Sequence, residues 1–244
     1  MSLDLEGTLA LVLMVIIAIG VPAIWYVRAR AGVLLLAGHI LWFVAVALLA
    51  ASGALSWWVE LGAPVLGLAT FGAIAVLIFL ATGLSATRQA LSRIPVPALI
   101  AIHAIRILGF LFLLLFAAGR LSAPFAPIAG WGDVIAGSTA VPVAWTLASR
   151  GANARWLVVI WNSFGLLDFF TAFGLGMTSA AGSPLQLFFD APGSAAVLTL
   201  PWAVIPVMLV PQLLVSHLAI FWRLGQAADE FSGRRPALSA SGLP

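Results

Sequence analysis

The chain has 244 residues, 63% of them hydrophobic and only 8% charged, with a formal net charge of +3. That composition, with several apolar runs of about 20 residues, excludes a water-soluble domain and describes a polytopic membrane protein. All eleven basic residues are arginine, scattered rather than gathered in a patch, and cysteine is absent; this excludes a nucleic-acid partner, a retinal Schiff base on lysine, disulfides and iron–sulfur clusters.

The hydropathy pattern predicts an all-α integral membrane protein of about seven transmembrane helices in one bundle. The first runs from about Thr8 to Val27, preceded by Asp4 and Glu6 and followed by Arg28 and Arg30. Its positive charge comes after the apolar run, which marks a retained helix entering with its N-terminus outside rather than a cleavable signal. The second spans roughly Gly32 to Ser52, and Trp57, Trp58 and Glu60 follow it as an outer interface segment. Span three covers about Ala63 to Ser85. Arg88 and Arg93 mark the next inner loop, closed by Pro95 and Pro97 where span four begins, and that span runs to about Ala118 with Arg120 beyond it.

Span five, about Phe125 to Leu147, ends at Arg150 and Arg155, and span six follows at once from Trp156 to about Met177. In the longer outer loop after it, Pro184 to Asp190 either lies in the membrane interface or forms a simple ordered loop. Span seven is placed at about Leu198 to Leu224, completing a transmembrane domain over residues 1–226. Residues 227–244, with Gly233, Arg234, Arg235 and Pro236, read as a disordered cytoplasmic tail.

Orientation follows from the arginines. Nine of the eleven (Arg28, Arg30, Arg88, Arg93, Arg150, Arg155, Arg223, Arg234 and Arg235) fall on one side, which is therefore cytoplasmic. Arg120 lies opposite and Arg106 is inside a span. The belts of Trp25, Tyr26, Trp145, Trp156 and Trp222 agree, and the chain is expected in a bacterial cytoplasmic (inner) membrane. Besides the lipid bilayer, the expected partner is a second copy of the chain, associating through small-residue helix faces. No internal repeat and no phosphate-loop spacing occur, so no nucleotide is expected.

Polar residues inside hydrocarbon are costly, and they normally face a bundle interior. His39, His103 and His217 fall in three different spans, each roughly six to eight residues from the cytoplasmic end, which puts all three about 9 to 12 Å into the membrane. Asn162 shares their depth. A middle layer holds Arg106, Asp133 and Asp168, and His103 lies three residues from Arg106 on one helical face. Gly130, Asp133 and Gly137 form a small-residue face on which another helix can approach the carboxylate closely. Pro206 and Pro211 should free the carbonyls of Trp202 and Val207, with Gln212 near enough to satisfy one of them.

Two imidazoles at one depth with aromatic neighbours (Trp42 and Phe43 beside His39, Phe110 near His103, Phe221 near His217) suit bis-histidine haem b and electron transfer, with His217 as the spare. All three histidines together would instead suit zinc or copper, either as a redox site or, with an aspartate as base, as an intramembrane metal-dependent hydrolase. A reading without metal takes the Arg106/Asp133/Asp168 cluster as the core of a proton-linked small-solute transporter or sensor. An accessory subunit locked together by its polar layers is the remaining class. Counting charge, Arg106 with two ionised aspartates leaves −1 at the membrane centre, so a proton, a histidine or a bound cation must compensate.

Overall fold

The computed structural model describes residues 32–57 and 65–231, together with Ile19. The first predicted span, its flanking Trp25, Tyr26, Arg28 and Arg30, the Trp58–Glu60 pair and the tail after Phe231 lie outside the described residues. Those described form helices and turns, with no strand among them.

In chain order the helices are α1 (Gly32–Ala51), α2 (Val65–Gly83), α3 (Ser85–Arg93), α4 (Val96–Ala117), α5 (Phe125–Arg150), α6 (Arg155–Thr178) and α7 (Val210–Phe231), with a single turn at Ala54–Trp57. Four helical stretches are long and apolar enough to cross a membrane: Val65–Gly83, Val96–Ala117, Phe125–Thr178 and Ile205–Gln226. The third contains both α5 and α6, which join through a 3₁₀ turn at Gly151–Ala154. Gly151 has φ +53°, a backbone that glycine adopts without a Cβ penalty. A shorter apolar stretch, Leu36–Ala51, lies within α1. Large side chains such as Leu34, Leu41, Phe79, Trp145, Trp156 and Leu167 stay exposed on the outer surface, as helices facing lipid require.

Local chemistry sets the breaks. Ile94 is extended because Pro95 follows it, which ends α3, and α4 restarts with proline in its first turn. Arg223 of α7 donates from Nη1 to the carbonyls of Ser92 at 2.7 Å and Ile94 at 3.1 Å, satisfying groups orphaned at that break. Within α4, Ile102–Gly109 tightens to 3₁₀ geometry.

Span seven begins later than its composition suggests. Residues 199–203 form turns, and the helix starts as a π-turn at Ile205–Leu209 before α7 proper. Pro201 and Pro206 both deny the backbone a donor, so a regular helix cannot start until Pro211 takes a first-turn position. The Trp202 carbonyl, expected to be left free, accepts from the Ile205 amide at 3.0 Å. Gln212 is not the partner that closes the break, since its Nε2 makes no hydrogen bond among the described residues. The loop after α6 is held by its backbone: the amides of Leu187 and Phe188 both donate to the Thr178 carbonyl, at 2.8 and 3.0 Å, while Leu187 and Phe189 remain exposed.

Two apolar clusters bracket the bundle interior. One contains Phe112, Phe125, Ala129, Trp202 and Met208; the other contains Ile100, Ala140, Val158, Trp161 and Ile220. Along α4, His103 and Arg106 fall between Ile100 and Phe112, and along α5, Asp133 falls between Ala129 and Ala140. The intramembrane polar residues thus occupy the layer between two dry cores.

Candidate functional site

Arg106 organises that layer. In a 3₁₀ segment residues three apart eclipse, so His103 and Arg106 project from α4 one above the other. The Arg106 side chain is 1% exposed and uses four of its five N–H groups. Nε donates to Asp133 Oδ1 of α5 at 2.7 Å, and Nη2 donates to Asp168 Oδ2 of α6. Nη1 donates to the Gly165 carbonyl at 3.1 Å and to His217 Nε2 of α7 at 3.2 Å. The guanidinium carbon sits 3.9 Å from the centroid of the Phe169 ring, a cation–π contact that adds attraction where water is scarce. One side chain thereby ties together four helices.

Donor roles fix the state of His217. Arginine only donates, so His217 Nε2 accepts and the ring proton is on Nδ1. Nδ1 donates to Asn162 Oδ1 at 2.6 Å, and Asn162 Nδ2 in turn donates to the His217 carbonyl at 3.0 Å. His217 is therefore neutral, with both ring nitrogens engaged. His103 lies against it, ring centroids 4.0 Å apart, and Trp161 borders both rings at 5.4 and 5.6 Å. Ser216 Oγ donates to the Leu99 carbonyl at 3.3 Å, which leaves its oxygen to accept from His103 Nε2 at 3.2 Å. His103 Nδ1 is then a lone-pair acceptor, buried and without a hydrogen-bond partner among the described residues.

Glycines make the close approach possible. A Cβ at Gly137 would strike the backbone of Arg106 and Ile107, one at Gly109 would strike the Asp133 side chain, and one at Gly132 the Asp168 carboxyl. A Cβ at Gly165 would lie 2.6 Å from His217 Cε1 and 2.9 Å from Arg106 Nη1. The small-residue face of α5 is thus packed against α4. Gly132, Gly165, Trp161, Phe169 and Ser216 were not singled out from the sequence. The usable signal was adjacency: Ser216 and Phe169 neighbour His217 and Asp168 in the chain, and Gly165 precedes Asp168 by three.

The three histidines do not form one site. His103 and His217 meet directly, whereas His39 packs edge-on against Trp42 with centroids 5.6 Å apart. Among the described residues no group of three or more His, Cys, Asp or Glu is placed to hold a metal ion. Rings 4.0 Å apart also leave no slot for a macrocycle between them. The long Arg106 side chain joins the two layers, since it reaches His217 directly and pairs with both aspartates.

A small cavity of about 40 Å³ lies beside the cluster, lined by Arg106, Asp133, Gly109, Phe169 and the π-turn residues Ile205 and Leu209 among others. That is room for water next to a carboxylate. Asp133 is 17% exposed and Asp168 6%, so Asp133 is the more accessible of the two.

Residues 63–225 match the family profile described as "Domain of unknown function (DUF8737)", well over half of the chain. The chain belongs to this family. The DUF8737 region runs from α2 into α7 and contains every member of the Arg106 cluster, while His39 lies outside it. Comparison with curated proteins and with solved structures finds no match to either.

Proposed function

We propose that this protein exchanges protons within the membrane at the Arg106–Asp133–Asp168–His217 cluster, acting as a proton-linked small-solute transporter or sensor. The observation that carries this reading is an unequal charge count in a buried layer: one guanidinium, two carboxylates and a histidine held neutral by its hydrogen bonds. An uncompensated buried charge is expensive, so one proton resides in the cluster and is the group that can come and go. Asp133, beside the small cavity, is the exchanging carboxyl. Asp168, more deeply buried, stays on the guanidinium. His103 Nδ1 is a free acceptor beside the cluster, its ring packed against that of His217.

Infrared difference spectra of purified protein, titrated from acid to alkaline pH, should contain a protonated-carboxyl band that fades as pH rises. Asp133→Asn balances one cation with one anion, and it should fold yet lose the titrating band. A wild type without the band, or a band unchanged in Asp133→Asn, refutes the assignment. Bis-histidine haem b would require the His103 and His217 rings to part and His217 to give up Asn162 or Arg106; a Soret band in the purified protein would favour that electron-transfer reading instead.

The finer topology belongs to the same proposal: seven spans in a bacterial cytoplasmic membrane, N-terminus outside and C-terminus inside. It is supported by the nine-to-one arginine asymmetry and by exposed Trp145 and Trp156 flanking the turn that carries Arg150 and Arg155. Reporter fusions after Leu224 should be active only as cytoplasmic reporters, and activity of a periplasmic reporter there would overturn the orientation.

A further inference from the structure

A second, larger cavity of about 690 Å³ lies between α1 and α2 and reaches α3, α4 and α7. Its size falls within the roughly 300–1,000 Å³ of small-molecule sites. Among the described residues the lining is apolar except for His39, Thr87, Gln212 and Ser216, and contains no Asp, Glu or Arg. A charged ligand would find no counter-ion among these described residues, whereas they accommodate a hydrocarbon body. Two lining groups are nevertheless polar and unsatisfied: Thr87 Oγ1 and Gln212 Nε2 are buried without a hydrogen-bond partner among the described residues. Leaving such a group unpaired costs about 1–3 kcal/mol, and the Gln212 amide is obligatorily a donor. Ser216 lines the same cavity and carries the hydrogen bond from His103. The space is thus one side chain away from the histidine pair.

We propose that this cavity binds a neutral amphiphile whose hydrogen-bond-accepting oxygen pairs with the Gln212 side-chain amide, its buried Nε2 turning into the cavity to meet it, and whose hydrocarbon body lies between α1 and α2. This deepens the proton-exchange reading by naming the class of solute, and it rests on that reading only for the link through Ser216. A lipophilic ring ketone and the ester carbonyl of a membrane lipid share the required chemistry.

Trp42 lines the cavity and serves as the reporter, its emission isolated by difference from Trp42→Phe. Two probes separate the sources: decylubiquinone added to protein in detergent, and vesicles of phosphatidylcholine brominated on its acyl chains. Saturable quenching by decylubiquinone, about tenfold weaker in Gln212→Leu as expected for one lost hydrogen bond, assigns the site to a free ketone. Quenching by brominated lipid that falls in Gln212→Leu assigns it to a lipid ester. Gly72→Phe should fill the space and abolish either signal, since a Cβ there meets nothing within 4 Å and the fold can accept it. No quenching from either probe, or quenching indifferent to both Gln212→Leu and Gly72→Phe, overturns the site. Asp133→Asn should leave binding intact while removing the carboxyl band, so failure of one proposal is visible apart from failure of the other.

Discussion

Arg106→Leu is expected to cost about 3–5 kcal/mol of stability, the range for removing one partner of a buried ion pair. The substitution leaves Asp133 and Asp168 without a cation, takes a donor from the Gly165 carbonyl and from His217 Nε2, and removes the stack on Phe169. Arg106→Lys should rescue little, because a single ammonium cannot present the planar fork that reaches two carboxylates, a carbonyl and an imidazole at once. The informative companion is a triple variant, Arg106→Leu with Asp133→Leu and Asp168→Leu. Replacing a whole buried ionic group by apolar residues is often neutral, since the desolvation cost disappears with the attraction. The triple variant should therefore regain much of the lost stability in thermal unfolding in detergent while losing proton exchange entirely. Equal instability of single and triple variants would mean that packing around the guanidinium, and not its charge, holds the four helices.

Depth along a helix was legible in the sequence, because it needs only a count of residues from a charged end. It brought Arg106, Asp133 and Asp168 into one layer, put Asn162 with His217, and put His103 beside His217; all of these meet in the structure. The Gly130–Asp133–Gly137 spacing also announced the close approach of a neighbouring helix. Direction around the helix and lateral position in the bundle were not legible. His39 has the right depth but sits on α1 and packs on Trp42 rather than joining the other two histidines. Nothing in hydropathy distinguishes a peripheral helix from a central one when both are apolar throughout.

Local backbone geometry was equally hidden. The 3₁₀ stretch Ile102–Gly109 contains no proline, and its one terminal glycine gives no warning; its backbone packs closely against α5 at Gly137. Gln212 was legible as a polar residue near a broken helix, but the backbone closed its own break through a turn at Trp202, which leaves the buried amide nitrogen without a partner in a residue that lines the large cavity. An unneeded polar group in an apolar wall is itself the signal for a ligand, and only the three-dimensional arrangement supplies it.

Gly137→Ala and Gly38→Ala are expected to move stability in opposite directions. Both glycines are helical, and in a helix interior alanine is favoured over glycine by about 1 kcal/mol, so propensity alone predicts stabilisation twice. At Gly38 no atom lies within 4 Å of an added Cβ, and the propensity gain should appear unopposed. At Gly137 the added carbon meets the backbone of Arg106 and Ile107, which cannot swing aside as the end of a side chain can. Forcing α4 away from α5 should cost about 1–3 kcal/mol or more, enough to reverse the sign. Because the displaced backbone is that of Arg106, the same shift lengthens the contact to Asp133, so Gly137→Ala should also displace the carboxyl band that Gly38→Ala leaves untouched. Stabilisation at both positions would show that the helices yield more readily than this packing allows, and the fixed guanidinium on which the proposed proton exchange depends would then not be held by the bundle.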